Sequence, residues 1–135
     1  MARKEEELKN RLVAVLRDLQ SDAKEDPEAL FLIGSLASTL MEKAKAKSWP
    51  AFKDALTTAE YDFLLRDFQK QGKAQLDAGE GKKAYAMQAL GLSLVCKTQR
   101  NDFQMREGEA LLDRIIGGAA ATFRKAETLQ KQKQH

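Results

Sequence analysis

Apolar residues recur along this chain at steps of three and four and almost never alternate with polar ones, which is the period of a helix. Leu8, Leu12, Val15, Leu16, Leu19 and Ala23 form one stripe, with Lys, Arg, Glu and Asp opposite, and predict a first helix over residues 4–24. Glu5, Glu6 and Glu7 in its first turn complement the positive helix end. Asp26-Pro27-Glu28 then reads as N-cap, first-turn proline and first-turn acid of a second helix that reaches about Lys47. Its middle, residues 31–41, is apolar or small all round, the mark of a helix surrounded by protein.

Ser48-Trp49-Pro50 breaks the pattern, because proline disfavours helix in the residue before it, and a short helix follows over residues 50–56. Thr57 or Thr58 caps the next helix, with Glu60 or Tyr61 near its third position. Tyr61, Leu64, Leu65, Phe68 and Gly72 share a face there, and the helix ends near Ala78-Gly79. Gly79-Glu80-Gly81 is the clearest turn of the chain. A fifth helix over residues 82–98 follows, and its core, residues 84–96, is again apolar almost all round. Asn101 or Asp102 caps a sixth, in which Phe103, Leu111, Leu112, Ile115, Ile116, Ala119, Phe123 and Ala126 recur at helical steps. The small residues 117–121 predict a kink there or a close approach by another helix. The expected fold is all-α, a compact bundle of five to six helices. One domain spans residues 1–129, with a frayed polar tail over 130–135.

Two segments that are apolar on every side strain what a single small bundle encloses. Either one is wrapped by the remaining helices or it faces a second subunit, for which Gly91, Ser93 and residues 117–121 would allow close backbone approach. A homodimer is the expectation.

Phe68, Gly72, Gly79, Ala84 and Gly91 fall at spacings that resemble a tetratricopeptide motif over about 34 residues. Gln75 and Gln88 stand where that family has large apolar or aromatic residues, and no closing proline follows. At about 34 residues earlier, Ser38 and Pro50 replace the key glycine and alanine, so there is no second copy. The resemblance implies a helical hairpin closed by small residues, and not a solenoid.

Several chemistries lack their reagents. Cys96 has no second cysteine, and the one histidine, His135, is the last residue, so Ser-His-Asp and Cys-His catalysis lack their central member. Protein-only zinc sites lack soft ligands for the same reason. The N-terminal residues turn acidic where a signal peptide would turn apolar, and the longest apolar runs fall short of the ~20 residues that span a bilayer. A cytoplasmic protein without a membrane or cofactor partner is expected. The net charge of +3 is spread thinly: residues 1–50 carry nine basic and nine acidic side chains, 51–100 eight and six, 101–135 six and five.

Gly79, Gly81, Lys82 and Lys83 place glycines and lysines at a helix start, where an anion contact is possible. They lack the P-loop spacing and its preceding strand, and an interhelical turn with solvated lysines explains them better. Cys96 in an apolar helix reads as a small buried hydrophobe. Glu109 with Asp113, four apart, is the spacing of carboxylates that share a cation, but without histidine a solvated face with Arg106 and Arg114 interleaved fits better. Lys43, Lys45 and Lys47 with Lys53, and Arg124, Lys125, Lys131 and Lys133, are the basic clusters. Trp49 and Phe52 beside Pro50 either plug the end of the bundle or anchor a partner.

The functional expectation is a non-catalytic protein–protein interaction module that offers an apolar helix face to another protein or to itself, with Trp49, Phe52, Leu94, Ile116 and Phe123 as contacts. The alternatives are a nucleic-acid-associated regulator acting through the basic clusters, and a carrier of an apolar ligand held between helices.

Overall fold

The computed structural model describes residues 2–25 and 27–133, with side chains over 6–20 and 27–132. The described chain forms six α-helices and no strand: α1 (Ala2–Glu25), α2 (Pro27–Ala44), α3 (Trp49–Ala55), α4 (Thr58–Asp77), α5 (Gly81–Cys96) and α6 (Phe103–Lys133). A single 3-10 turn, Lys97–Gln99, links the last two. The expected all-α bundle is the observed fold.

Local chemistry sets the helix ends. Lys45 takes φ 54° after α2, the left-handed turn that stops a helix, so α2 ends before Lys47. Ser48 Oγ accepts from Ala51 N–H at 3.2 Å and caps α3, which puts Trp49 and Pro50 in the first turn. Thr57 and Glu60 form a reciprocal capping box, Glu60 N–H to Thr57 Oγ1 at 3.2 Å and Thr57 N–H to Glu60 Oε1 at 2.9 Å. Asp102 Oδ1 accepts from Met105 N–H at 3.0 Å and starts α6. The Asp26 cap and residues 134–135 of the tail lie outside the described residues. Residues 130–133 continue α6 as helix.

The α4–α5 pair is the hairpin that the small-residue spacing implied. Gly79, at φ 80°, makes the reversal, where a side chain would be strained. Gly72 of α4 faces Ala84 and Met87, and Gly91 of α5 faces Leu65 and Phe68, so the two helices run antiparallel. The close approach expected at residues 117–121 is present, but its enabling glycine sits on the other helix. A Cβ on Gly34 of α2 would fall on the Ala119 carbonyl of α6, whereas Gly117 and Gly118 face open space. α6 stays helical through that stretch.

The core gathers Leu12 and Leu19, Ile33, Trp49, Leu90 and Leu94, and Leu112 and Ile116, each 3% exposed or less. From Ala86 to Cys96, α5 buries all but Met87, Gln88 and Val95 within this one chain. Most of that helix is therefore covered by its own chain. α2 is less enclosed. Phe31 remains 49% exposed, edge-to-face with Phe123 at 5.1 Å between ring centres.

Candidate functional site

Four of the five residues expected to meet a partner are interior. Trp49, Leu94 and Ile116 have no exposed surface and Phe52 has 5%. Trp49 stacks on Phe52 at 5.1 Å, so the pair plugs the bundle rather than anchoring a partner. Phe123 is half-buried against Phe31. Trp49, Leu94 and Ile116 have no surface to offer another molecule, whereas Phe52 edges a shallow pocket beside Phe63 and Phe123 keeps part of its ring exposed. Gly79, Gly81, Lys82 and Lys83 form the exposed α4–α5 turn, where Lys82 Nζ is engaged by Glu28 Oε2 at 2.9 Å.

The expected basic clusters each lose a member to the interior. Lys53 is completely buried, leaving Lys43, Lys45 and Lys47 exposed without it. Arg124 is half-buried and donates from Nε to Ser38 Oγ at 3.0 Å.

Lys53 organises a charged network inside the bundle. On α3, three and four residues beyond Trp49, Phe52 and Lys53 turn to the same side as the indole. Lys53 Nζ meets Glu109 Oε2 at 2.5 Å, Asp113 Oδ2 at 2.9 Å and the Ser93 carbonyl at 3.1 Å. An ammonium has three N–H donors, and these three partners occupy them. Ser93 Oγ accepts from Trp49 Nε1 at 2.9 Å and donates to Asp113 Oδ1 at 2.7 Å. Arg100 holds Glu109 through Nε at 2.8 Å and Asp54 at 3.0 Å. Glu109 and Asp113 are thus 4% and 7% exposed, not members of a solvated face. They hold a lysine, and no cluster of three potential metal ligands exists among the described residues.

The groups of the network satisfy one another's hydrogen bonds. The Cys96 thiol beside it is pushed up to about 12 by burial, with Glu109 and Asp113 adding and Lys53 opposing, so it stays protonated at neutral pH. Every buried side-chain nitrogen and oxygen among the described residues has a partner.

Burial pushes the Glu109 carboxyl up, but hydrogen bonds from Arg100 and Lys53 outweigh it, and the group sits below its ordinary 4.5. Glu60 is lowered by the Thr57 backbone bond, and Asp102 by the bond from Lys9. A carboxyl lowered by folding adds stability that is present above its ordinary pKa and lost as pH falls through the folded one. Asp113 opposes them. Burial raises it above 3.8 despite the Ser93 and Lys53 bonds, so its contribution fades as pH rises. Acid unfolding is expected to set in below about pH 4.5, with Glu109→Gln flattening the fall. Emission from the single tryptophan, Trp49, followed through denaturant titrations at stepped pH, measures that slope.

An open groove lies on the other side of α5. It runs between α1 and the α4–α5 hairpin, with a volume of about 540 Å³. α5 supplies its floor with Ala84, Gln88, Gly91, Leu92 and Val95. Helical steps of 100° put this strip roughly opposite Ser93, the residue tied to the charged network. α4 supplies Leu65, Phe68, Gly72 and Leu76 as one wall, and α1 supplies Leu8 as the other. Leu76 is 63% exposed at the mouth. The polar side chains are few: Arg11, Gln69, Lys73, Tyr85 and Gln88. Tyr85 Oη donates to Asp18 of α1 at 3.4 Å.

The sequence marked several of these residues as core, Gly81 only as part of an anion contact and Gly91 only as a close approach for a second subunit. Their signal was present in part, since Gln88 interrupts the apolar surface of the fifth helix on the strip that lines the groove. No family model, curated protein or solved structure matches the chain.

Proposed function

We propose that this protein is a non-catalytic interaction module that receives an amphipathic helix of a partner protein in the groove between α1, α4 and α5. The observation that carries this reading is the length of the apolar floor. From Ala84 to Val95 the floor supplied by α5 extends over three helical turns, about 16.5 Å at 1.5 Å per residue. A partner helix of similar length presents leucine-sized side chains at i, i+3, i+4 and i+7 to such a surface. The mode of action is the one expected from the sequence, an apolar face meeting a partner helix, moved from the buried residues around Trp49 to the groove beside α5, whose accessible lining includes Leu76, Gln88 and the half-buried Leu8, Leu65, Ala84 and Val95.

The probe is a fluorescein-labelled helical peptide of 18 residues or so, about 27 Å long, with a leucine stripe and glutamine flanks. Saturable anisotropy is expected with the parent protein. Gln88 is exposed on the groove floor, so Gln88→Trp fills the groove without disturbing the core, and binding should weaken at least about tenfold, the equivalent of 1.4 kcal/mol. Equal binding by parent and variant would remove the groove as the docking surface. Native mass spectrometry of the purified protein is the second arm. A tightly held apolar small molecule of one mass, lost in Gln88→Trp, would replace the helix with a carried ligand.

A further inference from the structure

We infer that the helix received by the groove is acidic along both flanks, an inference that rests on the groove being the docking surface. Among the described residues, the ionisable groups that line the groove are Arg11 and Lys73, with Tyr85, and no carboxylate lines it. Arg11 stands on the α1 wall and Lys73 on the α4 wall, so an apolar floor lies between two cations. Both side chains are exposed, which leaves their charged ends at the rim, and neither is held in an ion pair among the described residues. Asp18, the carboxylate that reaches a lining residue, is engaged by the Tyr85 hydroxyl.

This arrangement selects by charge what the apolar floor accepts by shape. A helix seated by its leucine stripe presents the rows on either side of that stripe to the two walls. Glutamate in those rows meets the Arg11 guanidinium on one side and the Lys73 ammonium on the other, whereas lysine there meets like charge on both. A single carboxylate head group on an alkyl chain engages one wall at a time, while a helix with two acidic flanks satisfies both. Opposed rim charges govern mainly partner choice and association rate. They are screened as ionic strength rises, because the Debye length shortens from about 30 Å at 0.01 M to about 10 Å at 0.1 M.

The test uses the full chain and two peptides with one leucine stripe, one carrying glutamate on both flanks and the other lysine. At low salt the glutamate peptide is expected to bind about tenfold more tightly, a preference that shrinks as salt is added. The double variant Arg11→Glu/Lys73→Glu changes exposed side chains only, so its far-UV circular dichroism should match the parent's. Its preference should reverse toward the lysine peptide. Equal affinities in the parent, or an unchanged preference in the double variant, would overturn the acidic partner while leaving a groove blocked by Gln88→Trp in place. Failure of both peptides to bind would overturn the groove itself and this inference with it.

Discussion

Replacing Lys53 by methionine is expected to lower the unfolding free energy by about 3–5 kcal/mol, because the change leaves Asp113 without a counter-charge and Glu109 with Arg100 alone. Glu109 and Asp113 come from α6 four residues apart and reach the same ammonium, which α3 delivers from the opposite side. Desolvating three charged groups is unfavourable, and their mutual attraction offsets that only while all three are present. An ordinary domain is stable by about 5–15 kcal/mol, so the loss is a large fraction of the total. The triple variant Lys53→Met/Glu109→Met/Asp113→Leu removes both sides of the pairing. It is expected to recover at least half of the loss, since a buried ion network exchanged for apolar groups of similar volume is often neutral. Urea titrations followed by far-UV circular dichroism measure both. A triple variant no better than Lys53→Met would show that packing of the lysine stem, not its charge, is what the site requires.

Gly34→Ala should be the second most damaging small change, at about 2 kcal/mol. Helix propensity alone predicts the opposite, since alanine is better than glycine in a helix interior by about 1 kcal/mol. The decisive fact is what the new methyl meets. It is the backbone of Ala119, which cannot rotate aside as a side-chain end would, so α2 and α6 must separate where they cross. Gly117 and Gly118 serve as the control. Both face open space, and alanine at either is expected to raise stability by about 0.5–1 kcal/mol. Thermal melts of the three variants separate the effects by sign. A melting temperature for Gly34→Ala at or above the parent's would mean that the crossing is looser than the structure has it.

What the sequence made legible was local. The 3.6-residue period gave the six helices, and Thr57 with Glu60 and Asp102 gave their starts, because capping depends on residues within one turn. The α4–α5 hairpin was legible through Gly72, Gly79 and Gly91, whose small size is itself the packing signal. The charged network was not, since lysine and glutamate are surface residues by default and only tertiary placement buries them. A trace existed. Met105, Glu109, Leu112, Ile116 and Ala120 form the buried row of α6, and Glu109 sits within that apolar series. The stripe read from the sequence included Leu112 and Ile116 but also the partly buried Leu111 and Ile115, and it passed over Glu109.

The groove was hidden for a different reason. No residue type announces that a neighbouring helix is missing. The all-round apolar character of residues 84–96 showed correctly that the fifth helix needs cover, but not that its own chain covers it everywhere except one strip. The two regions are linked through that helix. The network fixes the Ser93 side of α5 to α3 and α6, and this holds the opposite strip in position as the groove floor.

The groove is tested most directly by amide chemical-shift mapping of the isotope-labelled protein titrated with the glutamate-flanked leucine peptide. Saturable shifts are predicted at Gly72, Gln88, Gly91 and Val95, where the peptide would lie, with the amides around the exposed Phe31 and Phe63 unmoved. Shifts centred on Phe63 or Phe31, or no saturable shift at the α5 strip, would contradict the assignment of the groove as the working surface of this protein.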